Sequence, residues 1–177
     1  MPFTEGDKIA NMAAPQDRHR AAPAGTHTEL AAGSPPATGE RPPFYDAPVP
    51  DVSTREYWDA AARRELLIKR CDDCGRAHFP PRPFCPRCWS HAVRWERASG
   101  DATLYTYSVV RRNELPSFAA RTPYVAAIVE LAEGPRMMTN VVGVDPGEVR
   151  IGMDLVVDFA AAGAGGETLV PVFRPAA

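Results

Sequence analysis

Two short thiol pairs constrain this chain more than any other feature: Cys71-Asp72-Asp73-Cys74-Gly75 and Cys85-Pro86-Arg87-Cys88. A gap of two residues lets backbone amides turn back toward the sulfurs, so two such pairs can surround one tetrahedral ion. These are the four cysteines of the 177-residue sequence, and the pattern predicts one structural zinc ion held by four thiolates. Disulfides, the competing use of paired cysteines, belong to oxidising compartments. The opening segment, MPFTEGDKIANMAAPQDRHR, has no apolar core of the length a secretory signal needs. No run approaches the roughly 18 to 20 apolar residues of a membrane span, so the expectation is a soluble, cytoplasmic protein. A four-thiolate site is coordinatively closed and has no vacant position for activating water, which makes the ion structural rather than catalytic.

Around the thiol pairs the chain divides into four segments. Residues 1–50 are rich in Ala, Pro, Gly, Ser and Thr, cannot bury enough apolar surface to offset their ordering entropy, and read as a disordered tail. The end of this segment, Arg41-Pro42-Pro43-Phe44-Tyr45-Asp46-Ala47-Pro48-Val49-Pro50, is either a plain linker or a proline-stiffened arm whose Phe44 and Tyr45 dock. Residues 51–65 read as an N-terminal helix running through Arg64. Its start, Ser53-Thr54-Arg55-Glu56, has the spacing of a capping box. Tyr57, Trp58, Ala61 and Ala62 share one side of it, an apolar stripe suited to core packing or, since the helix precedes the compact modules, to a partner. Residues 66–97 read as a zinc ribbon, with strands at Leu66–Arg70 and His91–Arg97 on either side of the thiol pairs.

Residues 98–177 read as a small barrel entered through the turn Ser99-Gly100-Asp101. Five strands are expected: Thr103–Arg111, Tyr124–Leu131, Arg136–Val142, Leu155–Ala160 and Leu169–Arg174. The second is apolar on both faces, which makes it central or covered, while Leu155, Val157 and Phe159 alternate with Val156, Asp158 and Ala160. Pro171 lacks the amide that a central ladder needs, so the last strand belongs at an edge or bulge. Five strands in so short a stretch fit an OB-like barrel. The fold class is thus mainly β: an N-terminal helix, a rubredoxin-like zinc ribbon and a five-stranded OB-fold barrel. The long link from Arg112 to Pro123 has the length of a binding loop.

Nothing in the sequence nominates a catalytic residue. His78 and His91 are surplus to a site that already has four cysteines, and His78 reads as a surface or hairpin residue. No nucleophile elbow, metalloprotease helix or phosphate-cradling glycine loop is present. The formal charge of -2 offers no global attraction to polyanions. Locally, though, Arg63 to Arg97 holds nine basic and four acidic residues, against six basic and nine acidic from Ala98 onward.

The ordered set of features resembles the zinc-ribbon and OB-fold family of thiolase-associated accessory proteins, long catalogued as a domain of unknown function. The matching residues are Tyr57-Trp58, the two thiol pairs, Phe79-Pro80-Pro81-Arg82, Gly100, Pro123-Tyr124-Val125, Glu130 through Arg136, Ile151-Gly152-Met153 and Phe173-Arg174-Pro175. They cover about residues 53 to 176. The resemblance implies a non-catalytic accessory subunit that binds a thiolase-like or lipid-transfer-type acyl-CoA enzyme, in steroid, lipid or polyketide metabolism. The partner would supply the nucleophile and acid-base groups for making or breaking a carbon-carbon bond, and this chain would help form the channel for CoA. The basic excess of the ribbon then suggests Arg82 and Arg87 as contacts for the CoA phosphates, because guanidinium suits bidentate phosphate binding. Trp89 covers an adenine or a partner, or simply packs within the ribbon, and Tyr57 and Trp58 are partner contacts.

The competing reading is a single-stranded nucleic-acid-binding protein, since zinc ribbons and OB barrels both serve that purpose. It would use Tyr105 and Tyr107 as a stacking platform. The acidic balance of the barrel disfavours it.

Overall fold

The computed structural model describes residues 47–163 and 168–176. All of them fall in one compact unit, Gly39–Ala177. Phe44, Tyr45 and most of the 1–50 segment lie outside the described residues. Ala47–Pro50 have no regular secondary structure.

A short helix, α1 (Arg55–Ala62), comes first. Its start differs from the expected capping box: Thr54 occupies the cap position without a side-chain capping bond. The Asp51 carboxylate instead accepts the amides and hydroxyls of both Ser53 and Thr54 at 2.8–2.9 Å. A carboxylate beside these orphan donors outcompetes a neutral hydroxyl, which is then left to donate. The helix also ends earlier than expected, because Arg64 takes a left-handed conformation (φ 62°) and the Glu65 amide reaches back to the Ala60 carbonyl at 3.0 Å. That closure reverses the chain directly into the first strand.

The ribbon is a three-stranded sheet of order β2-β1-β3, with β1 (Leu67–Cys71), β2 (Ala77–His78) and β3 (Val93–Arg97). The two-residue β2 is too short to be read from periodicity. The barrel follows as β4 (Asp101–Val110), β5 (Tyr124–Leu131), β6 (Arg136–Val141), β7 (Asp154–Ala162) and β8 (Thr168–Pro175), closed in the order β4-β5-β6-β8-β7. A single turn, α2 (Pro116–Ala119), occupies the long link between β4 and β5. As expected of a central strand, β5 pairs with both β4 and β6, burying Val125, Ala127, Val129 and Leu131. The proposed tyrosine platform does not form. A bulge between Leu104 and Thr106 breaks the alternation, Tyr105 lies beneath Arg136, and the Tyr107 hydroxyl donates to the Val149 carbonyl at 3.0 Å.

Helix, ribbon and barrel share one core. Tyr57, Ala60 and Ala61 of α1 and Leu66, Leu67 and Ile68 of the ribbon are buried together with Leu104, Val129, Leu155 and Phe173 of the barrel. The helix is therefore part of the compact unit rather than an appendage to it. The junction between modules runs through Gly100, which is buried with φ +93°; a Cβ there would lie 2.6 Å from Val157 Cγ1. Its carbonyl accepts the Val157 amide at 2.8 Å. A side chain at this position meets both a left-handed backbone and a filled space. We expect Gly100→Val to destabilise the fold by about 2–4 kcal/mol, read as a lowered midpoint in chemical denaturation.

His78 occupies a hairpin, as expected, but it is buried rather than on the surface. It is 6% exposed, and neither ring nitrogen has a hydrogen-bond partner among the described residues. Burial, reinforced by the cations of Lys69 and Arg82, holds the imidazole below its ordinary value of 6.5. The unfolded chain takes up this proton as pH falls through that value while the folded chain resists it, so stability is lost on acidification. His78→Leu should show a smaller loss of stability than the native protein between pH 7 and pH 5. Equal losses would show that His78 does not contribute.

Candidate metal centre

Two similar turns bring the cysteines together. Cys71 ends β1, and the Gly75 amide donates to its carbonyl at 3.0 Å; in the second turn the Trp89 amide donates to the Cys85 carbonyl at 2.9 Å. Gly75 and Trp89 hold equivalent places after each pair, and both are left-handed, at φ 70° and 61°. All four sulfurs lie within 4.8 Å of one another. Cys71 and Cys88 are separated by 3.6 Å and Cys74 and Cys85 by 3.7 Å. Bond lengths of about 2.3 Å in a zinc tetrathiolate put neighbouring sulfurs about 3.8 Å apart, so the residues present fit the ion. The amides of Cys88 and Arg87 point at the Cys85 sulfur and bring its thiol down to about 7, whereas the Cys88 thiol, despite the Ser90 amide, is pushed up to about 12 by burial and the neighbouring sulfurs.

Arg70 braces the first turn. It forms a two-point ion pair with Glu96 at 2.5 and 2.6 Å and donates to the Gly75 carbonyl at 2.7 Å. Most of the ribbon's basic excess is engaged in this way. Arg94 pairs with Asp72, Arg64 with Asp158, and Arg63 and Arg97 with Glu65, while Lys69 lies over the Trp95 ring. Among the described residues no ion pair engages Arg76, Arg82 or Arg87. Arg82 and Arg87 are thus exposed and uncommitted, and so is Arg76, which was not among the expected CoA contacts.

Trp89 is 71% exposed and stacks on Phe84 with ring centres 5.4 Å apart and planes 14° from parallel. A left-handed tryptophan is strained by about 1–2 kcal/mol relative to glycine, a feature that the sequence could not disclose. Of the aromatic pair on α1, Tyr57 is buried within this chain, and burial pushes its hydroxyl pKa up. Trp58 is half-buried and faces a cleft shared with Phe79, Pro80 and Pro81. The two are in edge contact at 4.8 Å.

The segment from Asp72 to Ala92 contains no buried apolar side chain other than Cys85, so metal binding must supply much of its folding energy, on the order of 10 kcal/mol. We expect metal analysis to find one zinc per chain. Cys74→Ser should abolish it and open the ribbon turns to protease, while the barrel's β signal persists.

Two family descriptions match adjoining parts of the chain: "ChsH2, rubredoxin-like zinc ribbon domain" over residues 58–94 and "ChsH2, C-terminal OB-fold domain" over residues 95–160. The chain is 42% identical over 120 residues to a probable enoyl-CoA hydratase alpha subunit of Thermomonospora curvata, covering 68% of this chain and 36% of that protein. It therefore spans only about a third of the length of that relative. A DUF35 domain-containing scaffold protein of Methanocaldococcus jannaschii is 39% identical over 104 residues, covering 58% of this chain and 73% of the relative. Among solved structures, a chain described as Ltp2-ChsH2(DUF35) aldolase superposes with a TM-score of 0.65 at 39% identity, covering 74% of this chain and 100% of that one. Among the described residues no helix is long and apolar enough to cross a membrane. Four converging sulfurs, a ribbon sharing its core with a closed five-stranded barrel, and this pattern of relatives establish that the chain belongs to the DUF35 family of zinc-ribbon and OB-fold proteins.

Proposed function

We propose that this chain is a non-catalytic accessory subunit that binds a thiolase-like or lipid-transfer-type acyl-CoA enzyme and helps form its acyl-CoA site. One observation carries the reading: the likeness, at 39% identity over 74% of this chain and the whole of the other, to a chain described as part of an aldolase. The chemistry of this chain is consistent with a supporting role. Its sulfur site is saturated by protein ligands once zinc is bound and has no place for substrate. The thiolase-like partner supplies the groups that make or break the carbon-carbon bond.

The CoA contacts are assigned to the exposed side of the second thiol turn. Arg82 and Arg87 are the uncommitted guanidinium groups nearest Trp89 in sequence, and they suit the phosphates of CoA. The Trp89 ring offers a stacking face for adenine, and its strained backbone supports a role beyond packing, because glycine would serve the turn better. Of the α1 pair, Tyr57 is buried and Trp58 is half-buried at the cleft, so contact with the partner on this face runs through Trp58 or through the segment that covers it.

Co-expression with the host's thiolase-like enzyme, followed by calorimetric titration of the purified complex with CoA, tests both parts. A stable complex is expected, with CoA affinity lowered about tenfold, or roughly 1.4 kcal/mol, by Arg82→Ala or Arg87→Ala. Trp89→Gly should weaken CoA binding without lowering the ribbon's stability. Purification of the chain alone under gentle conditions, together with salt-sensitive binding to single-stranded oligonucleotides and no affinity for CoA, would replace this reading with the nucleic-acid one.

A further inference from the structure

The barrel is closed by a narrow seam. β6 and β8 run parallel and meet at one register pair, Val141 opposite Phe173, whereas every other neighbouring pair of strands shares at least three. Just before that point the Thr139 hydroxyl donates to the Pro171 carbonyl at 3.2 Å. The N–H and C=O of one residue leave a strand on the same edge, so Pro171 presents to β6 the side on which it has no amide to give. The ladder cannot be extended through it.

Over this seam lies a cleft of about 520 Å³. Its walls include Trp58 of α1, Phe79 and Pro81 of the ribbon, Tyr124 of β5, Met138 of β6 and Pro171 of β8. Met138 is 79% exposed. Grooves lined by aromatic rings and prolines favour proline-rich, extended segments, whose stiffness lowers the entropy lost on docking.

Such a segment lies immediately before the first described residue: Arg41-Pro42-Pro43-Phe44-Tyr45-Asp46. Its exit point is fixed. Ala47 rests on Gly163, at the end of β7, so closely that a Cβ on that glycine would lie 2.9 Å from the Ala47 Cβ. Gly163 follows Ala162, two residues beyond the Ala160 that pairs with Val170, and Val170 lines the cleft. The chain then meets the cleft wall again at Thr54. Three extended residues span about 10 Å, and the ladder between Gly163 and Val170 covers a similar distance at about 3.3 Å per residue. Phe44 and Tyr45, three and two residues before Ala47, are thus within reach of the cleft.

We propose that the cleft is the docking site of the chain's own Pro43-Phe44-Tyr45 segment, with the two rings seated against Trp58 and Met138 so that the arm covers the seam between β6 and β8. The proposal commits to this occupant because its chemistry matches the walls and its anchor at Ala47 holds it at high local concentration.

The test uses the full chain with Phe44→p-benzoylphenylalanine, a photoreactive residue that attacks nearby methionine. Irradiation should produce an adduct within the same chain at Met137 or Met138, with a yield independent of protein concentration. Adducts formed between chains and growing with concentration would assign the cleft to a second copy, and absence of any adduct in the cleft would leave it to a foreign segment or small apolar ligand; either result overturns the proposal. As an independent readout, the double variant Phe44→Ala, Tyr45→Ala should shift the methyl resonances of Met137 and Met138 while leaving that of Met153 in place. Unmoved cleft methyls in a folded protein would also refute it. Neither measurement involves CoA or a partner enzyme, so the outcome is separate from that of the proposed function.

Discussion

Convergence of four thiol sulfurs is the constraint on which the ribbon depends. Between Cys71 and Val93 the buried apolar side chains are two of the cysteines themselves, and hydrophobic burial alone cannot hold so thin a segment. The surrounding polar contacts complement the metal site rather than replace it. Arg70 fastens β1 to β3 through Glu96 and holds the carbonyl of the first turn, and the amides of the second turn converge on Cys85. With the turns secured, Leu66, Leu67 and Ile68 stay in register to fill the side of the barrel that also receives α1.

The charge pattern of the ribbon gains meaning from this arrangement. Six of the nine cations from Arg63 to Arg97 have partners among the described residues, and these partners fasten the ribbon strands, the helix terminus and the barrel to one another. Of the remaining guanidinium groups, Arg76 and Arg87 lie on or beside the turns that carry the cysteines, and Arg82 lies on the link between them. A thiolate cluster with zinc carries a charge of about -2, so nearby cations help neutralise it even when nothing else is bound. Any phosphate contact made by Arg82 or Arg87 would use groups whose charge already benefits the metal site.

Much of the architecture was legible in the sequence because its signals are local. The thiol spacing and the two-faced apolar run of β5 each specify a structural role with few alternatives, whereas Pro171 lies not at an edge but in a strand of the closed barrel, where its missing amide falls at the narrow seam with β6. What escaped depended on contacts distant in sequence or on small competitions. The helix start went to Asp51 because a carboxylate displaced the hydroxyl cap, and the burial of His78 arose from packing between modules. Trp89 looked like any aromatic residue until its left-handed backbone placed it in register with Gly75. Uncommitted arginines could be identified only after the others had found partners.

Gly100 links the two modules without a flexible connector. Its missing side chain admits Val157, its carbonyl is bonded to the same residue, and the core is continuous on either side. Ribbon and barrel are consequently joined more like the two plates of a welded bracket than like a jointed arm. Any body that grips the ribbon also sets the bearing of the barrel, and a load applied at one end is felt at the other without an intervening pivot.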